Sequence, residues 1–249
     1  MRQLVGPTEP EAFDQPSGEP VFPGLAPEQY ESVLDFGCGC GRMARRLALA
    51  AAPMPSRYVG IDLHRGMIHW ATDNLGSRLP NFSFVHQDVF NPQMNPDPNL
   101  PRTAPFPVQD GGATLLIAWS VFTHLLESQA EYYLDEVARV LRPGGVAIVT
   151  WLLFEKAYFP MLQDFQNALY INEHDLTNAV LFDRDWLVHA LDRRGLRIRA
   201  ARPPDIRGFQ WNMEIEPGQG SISLPADEAP FGRKPPPLGP NDAPRVGLD

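Results

Sequence analysis

Between residues 28 and 216 the apolar positions follow two alternating rhythms. Short apolar runs that stop at polar or glycine-rich boundaries predict strands at Ser32–Phe36, Arg57–Ile61, Asn81–His86, Ala113–Trp119 and Gly145–Trp151. Amphipathic stretches predict helices over Arg42–Ala51, Arg65–Leu75, Glu127–Leu141, Glu155–Tyr170 and Asp183–Arg193. After Gly195 the alternation Leu196, Arg197, Ile198, Arg199 predicts a half-buried strand, and Gly208–Glu216 predicts another. Strands interleaved with helices in this order build βαβ units, so the fold class is α/β with a mostly parallel, doubly wound sheet. No internal repeat is visible.

Both ends lack the periodic apolar faces that build a core. Six prolines and three glycines fall in residues 1–27, and eight prolines and five glycines in residues 217–249. The chain divides into an N-terminal arm (1–27), a globular domain (28–216) and a Pro/Gly-rich tail (217–249). Disordered tails are the first reading of both arms; the other is that the N-terminal arm, with Phe13, Phe22 and Tyr30 spaced along it, folds over a binding site as a lid, Tyr30 on the substrate side. Asn91–Pro107 holds six prolines between two predicted strands. Its composition favours a surface insertion over a substrate-side flap.

The 249 residues are 43% hydrophobic with a formal net charge of −9. Residues 32–216 carry 17 basic and 20 acidic groups, with no surplus of positive charge to drive nucleic-acid binding. The longest mostly apolar run, Ala113–Phe122, is about half of what a membrane helix needs, and the first twenty residues lack the pattern of a secretory signal. A cytoplasmic protein is expected, contacting neither nucleic acid nor membrane. Two cysteines, Cys38 and Cys40, are too few for a disulfide framework, and the six histidines show no ligand spacing, so no metal is expected.

The most informative segment is Val33-Leu-Asp-Phe-Gly-Cys-Gly-Cys-Gly-Arg42, a strand ending in an acid, then glycines at alternate positions, then a helix. Gly37, Gly39 and Gly41 let backbone amides approach a ligand with no Cβ in the way, and the helix start adds its positive dipole end. Arg42 fills the third glycine position of a dinucleotide fingerprint, so that pattern is not met. The second strand ends at Asp62, 21 residues after Gly41, and the third runs into Gln87-Asp88-Val89. Acids or glycines at three successive strand ends fit ligand binding at the carboxyl edge of an open α/β sheet.

These motifs, with Ser120-Val-Phe-Thr-His-Leu and the turn Leu141-Arg-Pro-Gly-Gly145 downstream, resemble those of class I S-adenosylmethionine-dependent methyltransferases. Ala113-Thr114 departs from the family, where Phe-Asp is frequent. The resemblance covers residues 28–152, the cofactor half, and leaves 153–216 as the substrate-facing half. It implies a Rossmann-like seven-stranded sheet of order 3-2-1-4-5-7-6 with the last strand antiparallel. It also implies S-adenosylmethionine as cofactor, S-adenosylhomocysteine as product, and no metal. By the resemblance, Asp35, Gly37, Cys38, Gly39 and Gly41 lie beneath the methionine moiety. Asp62 takes the ribose hydroxyls, Asp88 and the Val89 amide meet adenine, and Leu63, Met67 and Trp119 supply apolar contact.

The implied reaction moves a methyl group to an oxygen, less readily a nitrogen or carbon, of a small molecule such as a natural product, sugar or lipid-like acceptor. Alignment of the acceptor lone pair is the main task, and a general base helps if the acceptor is a hydroxyl. His124, just past the fourth strand, is the candidate base, because an imidazole titrates near neutral pH. Phe122, Glu155, Tyr158, Phe159 and His174 are the remaining candidates for acceptor contact, and His174 with its neighbour Asp175 is the alternative base. A binding protein without turnover, or a non-methylating cyclisation assisted by the same cofactor, stays open as an alternative, as does a homodimer.

Overall fold

The computed structural model describes residues 13–15, 18–50, 53–204 and 209–225. The end of the first predicted helix at Ala51, the start of the last predicted strand at Gly208, and much of both arms lie outside them.

Five strands run parallel in the order β3-β2-β1-β4-β5: β1 (Ser32–Phe36), β2 (Arg57–Asp62), β3 (Phe82–His86), β4 (Ala113–Ala118) and β5 (Leu141–Phe154). Burial of every β4 side chain explains why its sequence is an apolar run without alternation. Helices α1 (Arg42–Leu49), α2 (Arg65–Ala71) and α3 (Glu127–Val140) return the chain between strands. α2 runs into a π-helical turn, Thr72–Gly76, which completes the predicted Arg65–Leu75 span.

Past β5 the structure departs from the expected pattern in one place. The segment predicted as a helix over Glu155–Tyr170 forms only the 3-10 turn Lys156–Tyr158 and a short strand, β6 (Ala168–Tyr170). Pro160 is the physical reason: it removes a helical N–H and pushes Phe159 out of the helical region, to φ −125° and ψ 69°. β6 pairs antiparallel with β7 (Val180–Asp183), which extends the end of β5 in parallel at Leu152–Phe154. α4 (Arg184–Asp192) follows, capped by the Asp183 carboxylate.

The chain then returns as β8 (Leu196–Arg202) and β9 (Trp211–Pro217). β9 pairs antiparallel with both β8 and residues 147–151 of β5. The main sheet is therefore β3-β2-β1-β4-β5-β9-β8, the expected order with its last strand antiparallel, and the β6–β7 hairpin is an addition. Apolar cores lie on both faces. One centres on Leu34, Leu116, Trp151 and α3, and the other on Val33, Leu115, Ile148 and α1.

Candidate active site

The carboxyl ends of β1 to β4 share one edge. There the Gly37 and Cys38 amides both donate to the Ile61 carbonyl, at 2.8 and 3.0 Å, hooking the turn after β1 onto the end of β2. Gly41, at φ +80°, then starts α1. Gly37 sits at φ +78°, and a Cβ added to it would lie 2.3 Å from Val121 Cγ2 in the turn after β4. Gly37→Ala should cost about 2–4 kcal/mol in denaturant unfolding, from left-handed backbone and overpacking together. Adding Val121→Ala should restore the packing part alone.

Asp35, at the end of β1, is 2% exposed. Its carboxylate accepts from the Tyr58 hydroxyl. Burial pushes its pKa up to about 7, opposed by that hydrogen bond and by the Arg42 guanidinium. Asp62, at the end of β2, accepts from the Gly39 amide (2.9 Å) on one oxygen and from the His64 amide (2.8 Å) on the other. Burial raises its pKa too, with both amides pulling it back. Each Asp62 oxygen keeps a lone pair for a further donor.

These groups open onto a cavity of about 560 Å³, within the size range of small-molecule sites. Of the residues the sequence proposed, Asp35, Gly37, Cys38, Gly39, Asp62, Leu63, Met67, Val89, Trp119 and His124 line it. The others stand outside its wall. Gly41 serves the turn. Asp88 accepts from Asn95 Nδ2 at 3.0 Å and faces Arg65, while Gln87 and Val89 on either side of it reach the wall. Tyr30 is buried beneath the sheet, its hydroxyl exchanging hydrogen bonds with the Phe22 backbone. Phe122 is buried against Trp151 and Phe36. Glu155 pairs with Arg184 (2.5 Å), and Tyr158, Phe159 and His174 lie away from the cavity.

The remaining walls come from loops, and of their residues the sequence had singled out Asp175 and Phe13. Phe90, Asn91, Gln93, Met94 and Arg102 all line the cavity, so the proline-rich insertion, largely exposed as its composition suggested, also contributes to the wall. Asp175 and Thr177 of the loop between β6 and β7 line it from the other side. The two loops are tied by Gln93 to Asp175 and by Asn91 to Thr177 (3.5 Å). Phe13, from the N-terminal arm, also borders the cavity, and its neighbour Asp14 pairs with Arg45 of α1 at 2.7 Å.

His124 Nδ1 lies 2.9 Å from the Thr177 carbonyl oxygen. A carbonyl only accepts, so Nδ1 carries the proton and Nε2 of the neutral ring keeps its lone pair. Asp175 holds Thr177 in turn, accepting from its amide (3.0 Å) and hydroxyl (2.7 Å). Ser120, also in the wall, has φ +58°, a costly conformation for a residue with a Cβ. It is held there by hydrogen bonds from its amide to Thr150 Oγ1 (2.7 Å) and from its hydroxyl to Gln210 Oε1 (3.0 Å).

Residues 33–145 match a family model described as a methyltransferase domain. An uncharacterised methyltransferase of Emericella nidulans is 30% identical over 126 residues, covering 49% of this chain and 42% of its own. A fatty-acid O-methyltransferase of Mycolicibacterium smegmatis is 31% identical over 118 residues, 47% of this chain and 36% of its own. The chain thus spans half or less of the length of the curated relatives it matches. Among solved structures, mitomycin 7-O-methyltransferase superposes with a TM-score of 0.53 at 15% identity, over 78% of this chain and 51% of that one. The O-methyltransferase NcsB1 from neocarzinostatin biosynthesis, solved with S-adenosylmethionine and a hydroxynaphthoic acid, gives 0.51 at 19% identity, over 78% and 50%. These two share the fold.

Proposed function

We propose, for a chain whose residues 33–145 are a methyltransferase domain of the class I S-adenosylmethionine-dependent family, that this cavity holds S-adenosylmethionine and directs its methyl group to an oxygen of a small molecule. The observation that carries the reading is the Asp62 carboxylate, fixed by two backbone amides at the mouth of the glycine turn, with a lone pair on each oxygen for the two hydroxyls of a ribose. The donor set fits the cofactor. Asp35 offers negative charge to an ammonium, Arg42 positive charge to a carboxylate, and Gln87, Val89 and Met67 an edge and an apolar wall for adenine. Oxygen as the acceptor atom is supported by the fatty-acid O-methyltransferase relative.

When bound, S-adenosylmethionine would supply a methyl carbon activated by the positively charged sulfur that carries it, with a neutral thioether as leaving group. The chain's part is alignment, worth about 7–11 kcal/mol in well-oriented systems. His124 Nε2 takes the hydroxyl proton, its ring held by the Thr177 carbonyl. Trp119, Leu125 and Met94 line the same cavity and exclude water.

Calorimetric titration with S-adenosylmethionine tests the reading through Asp35. A cation seated beside that carboxylate lowers its pKa from about 7, so binding near pH 7 should release a proton, seen as heat that varies with buffer ionisation enthalpy. Asp35→Asn should bind without the release. The variant should also flatten the pH dependence of stability. The native state keeps the Asp35 proton up to about pH 7 whereas the unfolded chain loses it near 3.8, so wild-type stability falls as pH rises through that window, by up to about 4 kcal/mol. No saturable binding to the wild type would refute the proposed function.

A further inference from the structure

Arg102 is the charged group of the cavity wall whose charge no carboxylate among the described residues answers. Asp62 is met by two backbone amides, Asp175 by Thr177 and Gln93, and Arg42 stands near Asp35. The Arg102 guanidinium lies 5.1 Å over the Phe90 ring. The ring supports the cation, and no hydrogen bond from the guanidinium to another described residue takes up its N–H donors, which can grip a planar anion with two hydrogen bonds.

The segment that carries Arg102 is firmly built although its sequence is rich in proline. Its own carbonyl accepts from Gln129 Nε2 (2.8 Å), and the Pro101 carbonyl from the Phe90 amide (2.8 Å). The Ala104 carbonyl accepts from Gln87 Nε2 (2.9 Å), and the Phe106 amide donates to Glu136 Oε2 (2.6 Å). Arg102 is thus presented on a backbone tied to α3 and to the end of β3. Phe13, Phe90, Met94 and Leu125 give the same cavity an apolar lining.

We infer that the acceptor is a small organic acid, with a carboxylate for Arg102 and a hydroxyl for His124 joined by an apolar body. This rests on the cavity being a methyl-transfer site and adds the chemical class of its substrate. The carboxylate is the anchor and the hydroxyl the reacting group, so esterification of the anchor is not the expected outcome.

The test uses the full chain loaded with S-adenosylhomocysteine and titrated with a hydroxynaphthoic acid, its carboxamide and the parent naphthol, alongside a medium-chain hydroxyalkanoic acid and its amide. In each set the acid should bind at least about tenfold more tightly than its neutral counterparts. Arg102→Met should weaken the acids about 100-fold while leaving the neutral compounds and the S-adenosylhomocysteine affinity within about twofold, and Arg102→Lys should fall between. Equal binding of acids and neutral compounds, an equal loss of both in Arg102→Met, or binding of S-adenosylhomocysteine with no acid bound would each overturn the inference. Failure of the wild type to bind S-adenosylhomocysteine would instead remove the methyl-transfer reading, and the inference with it.

Discussion

Replacement of His124 by alanine is expected to lower turnover of a hydroxyl acceptor about 10²- to 10⁴-fold, the range of a positioned proton acceptor. The affinity for S-adenosylmethionine should hardly move, because the ring lies past β4 and away from the glycine turn. The loss follows from the tautomer. With Nδ1 committed to the Thr177 carbonyl, the lone pair sits on Nε2. Added imidazole should return part of the rate to the alanine variant. An acceptor already ionised in solution should be transferred at nearly the wild-type rate by the variant, so comparing hydroxyls of different acidity separates proton removal from mere packing. Undiminished turnover of a weakly acidic alcohol would eliminate His124 as base.

Asp62→Ala should have the largest effect on cofactor affinity. Two charge-assisted hydrogen bonds at about 1.5–3 kcal/mol each correspond to a loss of at least about 100-fold in the dissociation constant. Asp62 also anchors the Gly39 and His64 amides, so the alanine variant loosens the turn itself. Asp62→Asn separates the two roles. Its carboxamide oxygen can keep one amide, while its NH2 faces a donor on the other side, so affinity should drop by a smaller factor as the melting temperature stays closer to wild type. An unchanged dissociation constant in Asp62→Ala, measured by calorimetry, would place the ribose elsewhere.

The side of the cavity formed by the strand ends was legible because its information is local. A strand ending in Asp35, glycines that need positive φ, and an acid at the end of the next strand are each a few residues long, and the parallel sheet brings such ends to one edge by construction. The loop side of the cavity was legible only at points such as Asp175, for a different reason. Its walls come from the 90–107 and 171–179 loops, which carry no periodicity and acquire their places only through ties such as Gln129 to Arg102 and Gln93 to Asp175.

Aromatic residues misled for a related reason. Tyr30 and Phe122 lie close in sequence to the expected site, but packing turns both into the core. Pro160 was a visible signal that Glu155–Tyr170 could not be one helix, and the apolar spacing around it concealed that. Asp88 shows the finest limit. The motif located the right corner, yet one residue decides whether a side chain joins the wall or turns to Asn95 and Arg65.

The carbonyl that sets the His124 tautomer belongs to Thr177, in the loop between β6 and β7, whereas His124 itself lies just past β4. If His124 is the base, a change in this loop would also retune the proton acceptor, and a chimera carrying a different segment here would hold a ring of unspecified tautomer unless it brought a carbonyl to the same height. On the proposed reading, selectivity and chemistry would be coupled through a single peptide group.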